Sequence, residues 1–365
     1  MVTLIGVLVV FSIGIALFMQ QPQFGKTPAG ARLEKIKQSS HFHDGKFVNE
    51  EVTPDLTEGV SYYQVLKEFI FQKSARSQPQ DSLPARKIDL HSIAPEKNIL
   101  VWFGHSSYFI QLDGKKMLVD PVLSGAASPI QFTTPSYKGS DVYTLEDLPE
   151  MDYLFISHDH YDHLDYATLK RLKGKVKKVI TGLGTGAHLE HWGYDSRQIV
   201  EKDWDEEVHL DSGFSVVTTT ARHFSGRTFS RNRSLWVSFV LKTPSKTLFL
   251  GGDSGYGRHF AKIGEKYGPF DLAILECGQY DKNWKYIHMM PEEVVQAAQD
   301  LHANILLPVH WAKFTLGAHA WDDPILRVTK EAAKRGQVLL TPFIGEAVQL
   351  GDSTFENVAW WENVR

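Results

Sequence analysis

A run of nine residues after an apolar segment constrains the fold of this chain more than any other feature. Ser157–Asp165 contains three histidines and three aspartates, and it comes directly after Tyr153–Ile156. Neutral imidazole and carboxylate are the ligands that zinc and similar divalent metals prefer. Each of these polar groups would need a partner if it were buried in a core. We therefore expect a short strand that ends in a metal-binding loop; the alternative is a solvated loop rich in histidine.

The composition is that of an ordinary folded protein. The chain has 365 residues, of which 42% are hydrophobic and 22% are charged, and this length allows one large or two medium domains. The formal net charge of −4 does not suggest a surface that binds nucleic acid, so no nucleic-acid partner is expected. The single cysteine, Cys277, excludes an intramolecular disulfide and a metal site made of several cysteines.

The N-terminus begins with an apolar segment, Val2–Met19, in which Thr3 and Ser12 are the polar residues. Eighteen helical residues rise about 27 Å, close to the hydrocarbon thickness of a bilayer. No basic residue precedes the segment and no Ala-x-Ala-like site follows it, which disfavours a cleaved signal peptide. The pattern predicts a single-pass anchor that contacts the bilayer through residues 2–19, and the basic residues after it place the main domain on the cytoplasmic side.

The chain divides into three predicted regions. Residues 1–20 form the predicted anchor, 21–95 a tether and N-terminal extension that packs on the domain, and 96–365 the main domain. From Asn98 onward, short strand-like segments alternate with helical candidates, which predicts two strand-rich halves covered by helices, an α/β arrangement. Strands are predicted at 99–103, 108–112, 116–119, 153–156, 176–180, 214–220, 235–241, 247–250, 272–275, 305–309, 338–340 and 347–350, and helices at 60–75, 166–172, 185–191, 257–267 and 291–302.

Four of the predicted strands end at a histidine or an aspartate. Binding and catalytic residues often lie on loops that a rigid scaffold positions. Metal ligands at the ends of several strands would converge on one edge of the sheets. Five histidines and two aspartates are enough for two metal ions. The residues are His158, His160, Asp162 and His163 after the strand at 153–156, His223 after 214–220, Asp253 after 247–250, and His310 after 305–309.

A two-metal site has a clear chemical logic. Two neighbouring cations lower the pKa of a shared water, so that hydroxide exists near neutral pH, and they hold the oxygens of a phosphate or carbonyl while charge develops there. Asp253 is the isolated strand-end aspartate available to bridge the two metals. An aspartate beside the water can orient or deprotonate it, which suits Asp162.

The ordered set of ligands resembles the metallo-β-lactamase-fold hydrolases, and within them the N-acyl-phosphatidylethanolamine-hydrolysing phospholipases D. The similarity covers roughly residues 95–350 and extends well past the ligands. The matching segments are Trp102–Ser107, Leu118–Leu123, Ala127–Pro129, Ile156–Tyr166, Asp203–Glu206, Gly251–Tyr256 and Gly268–Ala273.

The resemblance implies a four-layer αββα sandwich with two Zn²⁺, or other divalent metals, at one edge of the two sheets. It implies that Asp120 holds a ligand histidine by its far nitrogen, and that His288 lies near the substrate phosphate, where it stabilises the transition state or protonates the leaving oxygen. Asp120 as an ordinary strand-end cap and His288 as a histidine ahead of a helix stay open. The resemblance assigns His158, His160 and His223 to one zinc, Asp162, His163 and His310 to the other, and Asp253 between them.

The function implied by the resemblance is that of a zinc-dependent, membrane-anchored hydrolase of phosphodiester bonds in N-acyl-phosphatidylethanolamine-type lipids. Asp162, His288 and Asp253 are its candidate catalytic residues. A lactonase acting on a phosphorylated sugar lactone is the alternative within the family, and a non-hydrolytic protein that binds two metals is the alternative from a different class. Phe69 and Phe71 are candidates for an acyl groove or for the core, and the sequence leaves the oligomeric state open.

Overall fold

Two seven-stranded β-sheets form the centre of the molecule, and helices cover their outer faces. The computed structural model describes residues 2–211, 213–351 and 355–365. The inner faces of the sheets pack against each other, so that the rings of Phe155 and Phe239, one from each sheet, lie 5.2 Å apart. The predicted mixed α/β fold with two sheets is therefore confirmed.

The first sheet follows a short hairpin and contains the strand that leads to the histidine-rich run. All five residues of its second strand are buried, since the side chain of Phe109 faces the helices while those of Tyr108 and Ile110 face the other sheet. The hairpin is β1 (Phe42–His43) and β2 (Lys46–Phe47), and the sheet contains β3 (Ile99–Trp102), β4 (Tyr108–Leu112), β5 (Lys115–Val119), β6 (Met151–Ile156), β7 (Val176–Gly182) and β8 (Ile199–Lys202).

The second sheet carries the other ligand-bearing loops. Its last four strands in chain order are parallel, and the three before them pair antiparallel. The last strand, β16 (Ala347–Gln349), returns to the first sheet and pairs with β3. The second sheet contains β9 (Glu207–His209), β10 (Ser215–Thr219), β11 (Ser238–Lys242), β12 (Thr247–Leu250), β13 (Phe270–Glu276), β14 (Ala303–Val309) and β15 (Val338–Leu339).

Helices close the sandwich on both sides. Leu169 and Leu189 lie in the cluster on the outer face of the first sheet, and Ile263, Val294 and Val328 belong to the cluster of the second sheet. The helices are α1 (Val2–Phe18), α2 (Gly30–Ile36), α3 (Tyr62–Phe71), α4 (Tyr166–Leu172), α5 (Gly186–His191), α6 (His259–Tyr267), α7 (Pro291–Asp300) and α8 (Asp323–Arg335).

The predicted membrane anchor is wrong. The apolar segment does form a helix, α1, but it has 17 residues and rises about 25 Å, less than the roughly 30 Å hydrocarbon core of a typical bilayer. Within the described part of the chain, no helix combines the length and the apolar character needed to cross a membrane. The predicted single-pass location and the bilayer contact through residues 2–19 are corrected accordingly.

The segment after α1 packs against the sandwich at several points. Trp192 Nε1 donates a hydrogen bond to the carbonyl of Pro22 at 2.7 Å, and Ile36 and Phe47 are fully buried in the main core cluster. The side chain of Asn49 bonds to the backbone of His223, whose N–H and carbonyl lie 3.1 and 2.8 Å away. This segment therefore supports a candidate metal ligand directly, while the domain boundaries at residues 20 and 95 stay predictions.

His259, the first residue of α6, gives a pH-dependent contribution to stability. Its Nε2 lies 3.1 Å from Ser254 Oγ, and burial lowers its pKa from 6.5 to about 3. The unfolded chain therefore binds a proton that the folded protein excludes, so this site destabilises the fold progressively as the pH falls from 6.5 towards 3. Between pH 7 and pH 5 we expect the wild type to lose about 2 kcal/mol more unfolding free energy than His259→Gln.

Urea unfolding at the two pH values measures this difference, because other titrating groups act equally in both proteins. An identical loss in wild type and variant would contradict the buried, neutral state of His259.

Candidate metal centre

The four ligand-bearing loops leave the same edge of the sandwich. Strands β12, β13 and β14 are parallel, and β10 points the same way because it is antiparallel to β11, which is antiparallel to β12. Their carboxyl ends therefore lie together, as do those of the parallel strands β5 and β6 in the facing sheet. Residues far apart in sequence meet at this edge.

Three imidazoles form the first group of ligand atoms. His160 Nδ1 lies 2.9 Å from His158 Nε2 and 3.2 Å from His223 Nε2. His158 and His223 are each 1% exposed. The three nitrogens point at one another across a space that a single ion could fill, and together they could hold a metal ion.

A carboxylate and two imidazoles form the second group. Asp162 Oδ2 lies 3.5 Å from His163 Nε2 and 3.4 Å from His310 Nε2. His105 adds a third contact, with its Nε2 2.9 Å from the same carboxylate oxygen. His105 thus contacts the proposed ligand Asp162 rather than the centre of the first group.

Asp253 lies between the two groups. Its Oδ2 is 3.2 Å from the Nε2 atoms of both His163 and His310. The same oxygen is 3.8 Å from the Nε2 atoms of His158 and His223. A carboxylate that reaches both groups is what a bridge between two cations requires. The structure thus brings all seven predicted ligands together, and their binding of metal stays a prediction.

Two buried atoms of this centre test whether a metal fits. His163 Nε2 and Asp253 Oδ1 are buried and have no hydrogen-bond partner among the described residues. A buried polar atom without a partner costs about 1–3 kcal/mol, and imidazole nitrogens and carboxylate oxygens are atoms that bind zinc and related metals. The donor set and its unpaired atoms therefore fit a pair of divalent cations.

Asp120 orients one ligand through the nitrogen that faces away from the centre. Its Oδ2 accepts a hydrogen bond from His163 Nδ1 at 2.8 Å and from Ser157 Oγ at 2.6 Å. Ser157 Oγ in turn lies 2.9 Å from His158 Nδ1. These contacts place the protons on the Nδ1 atoms and leave the Nε2 lone pairs facing inward. They favour the predicted role of Asp120 over a simple turn cap.

Backbone carbonyls orient two of the remaining three ligand histidines, His223 and His310. His223 Nδ1 donates to the carbonyl of Ile287 at 2.9 Å, and His310 Nδ1 donates to the carbonyl of Gly278 at 3.2 Å. Their Nε2 atoms are again left free to face the centre. Each ring is therefore fixed in one tautomer and one orientation.

Strained backbone conformations cluster around the centre. His105, Asp120 and His310 have φ angles of 52°, 40° and 69°, in a region that costs most residues free energy and that is frequent at functional sites. The loop of Asp253 requires a glycine at 252, where φ is 60° and a Cβ would lie 2.7 Å from Ser157 Cβ. The surrounding structure therefore imposes the local geometry that aims these side chains.

The electrostatics of the two groups differ. Burial lowers the pKa of His158 and His223 well below the ordinary value and that of His160 to about 4, so these three rings are neutral, as metal ligands must be. Burial also opposes the charged form of His163, but the carboxylate of Asp253 raises its pKa well above the ordinary value. The second group thus stabilises positive charge, which also favours a cation.

A cavity of about 320 Å³ opens onto the centre. The sequence makes Phe71 a candidate for an acyl groove or for the core. It is 78% exposed and does not line this cavity, so neither interpretation is supported for Phe71. The side chain of Phe69 lies outside the described part of the structure. The walls come from the segment around α3, from the loop after His223 and from the loop after β13. The lining residues are Asp55, Leu56, Tyr62, Val65, His160, Asp162, Phe224, Arg231, Asp253, Gln279, Trp284, Ile287, His288, His310 and Leu316.

His288 lines this cavity and is held by a residue that the sequence analysis missed. Its Nδ1 lies 2.8 Å from Glu276 Oε2, and its ring stacks on that of His310 with centroids 5.2 Å apart. Glu276 is fully buried at the end of β13, and its other oxygen accepts from the N–H of Met289 at 3.1 Å. His288 Nε2, without a partner among the described residues, is left as the nitrogen available to a substrate.

Asp159, which stands between two ligands in sequence, points away from the centre. It accepts hydrogen bonds from the N–H of Gly226 at 2.6 Å and from Ser234 Oγ at 2.8 Å, and His188 Nε2 lies 3.3 Å from it. Arg227, fully buried alongside, donates to the carbonyl of Asp159 at 2.8 Å. These residues fix the loop that carries His158 and His160.

Comparison with known proteins agrees with this geometry. The β-lactamase superfamily domain model matches residues 115–311. An uncharacterized protein of Mycobacterium tuberculosis is 36% identical over 88% of this chain and 89% of its own length. The N-acyl-phosphatidylethanolamine-hydrolyzing phospholipase D 1 of Caenorhabditis elegans is 30% identical over 68% of this chain and 76% of its own length.

A solved structure shows the same fold. The metallo hydrolase Igni18 of Ignicoccus hospitalis superposes with a TM-score of 0.54 at 22% identity and covers 69% of this chain and 97% of its own. The chain belongs to the metallo-β-lactamase superfamily, and it is a metal-dependent hydrolase. The resemblance stated from the sequence is therefore confirmed.

Proposed function

We propose that this protein is a zinc-dependent phosphodiesterase that releases the headgroup alcohol of N-acyl-phosphatidylethanolamine-type lipids. The observation that carries the proposal is the position of Asp253 Oδ2 between two groups of ligands at the base of an open cavity. The similarity to the nematode phospholipase D supports the lipid class. Asp253 would join the two ligand groups, with His158, His160 and His223 on one side and Asp162, His163 and His310 on the other.

A pair of divalent cations held there would lower the pKa of a bound water and neutralise charge on the phosphoryl oxygens. Asp162 Oδ2 lines the cavity and is fixed by His105 at 2.9 Å, so it can orient the attacking water and accept its proton. In the reaction, a bond forms between the water oxygen and phosphorus, and the bond from phosphorus to the headgroup oxygen breaks.

His288 provides the proton that the leaving oxygen needs. Its Nδ1 is engaged by Glu276 at 2.8 Å, and a carboxylate in this position fixes the tautomer and the orientation of the ring. Nε2 therefore faces the cavity as the proton donor. Glu276 acts through His288 and is a positioning residue.

A substrate panel tests the proposed function. Metal-replete protein is assayed with N-acyl-phosphatidylethanolamine and phosphatidylcholine in detergent micelles and with phosphorylated sugar lactones, each with and without a chelator. We expect N-acyl-phosphatidylethanolamine to be hydrolysed to phosphatidic acid. The chelator should abolish this hydrolysis, and added Zn²⁺ should restore it. Turnover confined to lactones, or no metal-dependent turnover of any phosphodiester, would contradict the proposal.

A further inference from the structure

An ion pair in the cavity wall lies outside the metal centre and is not used by the chemistry proposed above. Arg231 Nη1 donates to Asp55 Oδ2 at 2.7 Å, and both side chains line the cavity. The pair joins two separate parts of the chain, the segment before α3 and the loop after His223. The pair is therefore placed where it can contact a bound substrate.

The guanidinium of Arg231 packs over an aromatic ring close to the ligands. It lies 4.0 Å from the centre of the Phe224 ring, a favourable stacking of a cation on an aromatic face. The Phe224 ring is 4.4 Å from that of His160, centroid to centroid. Arg231 is thereby fixed one ring away from the first group of ligands, where a group attached to the reacting phosphate would lie.

Among the described residues, most of the N–H donors of Arg231 have no partner. A guanidinium carries five N–H donors; Nη1 bonds to Asp55, and Tyr62 also contacts the guanidinium. The Arg231 side chain is 35% exposed and opens to the cavity. Asp55 Oδ2 is in contrast shared by two donors, since Tyr62 Oη also donates to it at 2.8 Å. The pair therefore offers a substrate the remaining N–H donors of Arg231, while Asp55 Oδ2 is already occupied.

We propose that Arg231 selects the headgroup of the substrate by donating hydrogen bonds to an acceptor oxygen beyond the reacting phosphate, with Asp55 holding it in place. The ligand is the carbonyl of an N-acyl amide or a carboxylate, and an ammonium headgroup is disfavoured because it brings a second positive charge without an acceptor. The inference rests on the proposed phosphodiesterase function and deepens it by assigning headgroup specificity to a named residue.

The test compares three lipids with identical acyl chains in neutral detergent micelles: N-acetyl-phosphatidylethanolamine, N-succinyl-phosphatidylethanolamine and phosphatidylcholine. The first offers a neutral acceptor, the second a carboxylate, and the third a quaternary ammonium. In Arg231→Met we expect kcat/KM to fall about 10-fold for the acetyl lipid, as for a lost hydrogen bond to a charged group, and further for the succinyl lipid, mainly through KM. Phosphatidylcholine turnover should be unchanged or higher.

Matched variants separate charge from geometry. Arg231→Lys keeps the positive charge, so it should retain the preference for the succinyl lipid over phosphatidylcholine. Its kcat/KM for the acetyl lipid should lie between those of the wild type and Arg231→Met. Asp55→Asn should lower kcat/KM for the acetyl and succinyl lipids, but by less than Arg231→Met, because the guanidinium remains but loses the carboxylate that holds it in place. Arg233→Met is the control, since Arg233 is exposed and bonds the carbonyl of Gly45, and it should change none of the three rates.

The outcomes are distinguishable. If Arg231→Met lowers turnover of all three lipids by one common factor, the ion pair is a structural part of the wall, and the inference is overturned while the proposed function stands. If the wild-type enzyme with metal bound hydrolyses none of the three lipids, the proposed function fails and the inference falls with it.

Discussion

Replacing Asp253 by alanine is expected to remove bound metal and to lower kcat/KM for a phosphodiester by about 10³-fold or more. Residues that only orient metal ligands are worth about 10–100-fold, and Asp253 Oδ2 itself lies within 3.8 Å of a nitrogen from each of His158, His163, His223 and His310. Without this carboxylate, two cations would face each other with no negative charge between them. Inductively coupled plasma mass spectrometry measures the metal content, and steady-state kinetics measure kcat/KM.

The control for this variant is Asp271→Ala. Asp271 lies near the beginning of β13, at the end of the sheet opposite the centre, and pairs with Lys246 on the surface. It should retain both metal and activity. A fully active Asp253→Ala protein with unchanged metal content would contradict the bridging position.

Replacing His288 by alanine is expected to lower kcat by about 10²–10⁴-fold, the usual contribution of a positioned acid or base, with the metal content unchanged. The reason is that His288 touches Glu276 and the cavity but supplies no atom to either predicted ligand group. The loss should be large for alkyl leaving groups and small for p-nitrophenyl diesters, because p-nitrophenolate leaves without a proton. Rates for the two substrate types measure this ratio.

Glu276→Gln gives the matched control for the role of His288. Glutamine keeps the shape of the side chain but removes the charge that orients the imidazole, so a smaller loss of the same kind is expected. In the His288→Ala background the Glu276→Gln change should have little further effect. Equal losses for both leaving groups would make His288 structural.

The positions of the candidate ligands could be predicted from the sequence because these residues follow the ends of apolar strands. The apolar runs at 247–250 and 108–112 match β12 and β4, and each predicted ligand follows a strand whose carboxyl end lies at one edge. Helix α8 was missed although Pro324 in its first turn and the left-handed Gly336 after it are ordinary helix signals. Such signals are local and were present in the sequence.

Other features depended on tertiary contacts and could not be predicted. Asp159 stands within the ligand motif, but the loop turns it towards Ser234, and no periodicity fixes side-chain direction in an irregular loop. Glu276 follows the predicted strand at 272–275, as the predicted ligands follow theirs, but no sequence pattern links it to His288; their contact depends on how the segment of His288 packs against the end of β13. The anchor prediction failed on length, since α1 ends at Phe18.

We propose that loops from four distant parts of the chain hold a pair of divalent cations. Counting metal ions per chain in purified protein, by plasma mass spectrometry before and after dialysis against a chelator, tests it most directly. We predict two divalent ions per chain, lost on chelation together with hydrolysis and regained together when Zn²⁺ is added back. A chain that binds no divalent ion, or that hydrolyses its substrate equally well without one, would contradict the account.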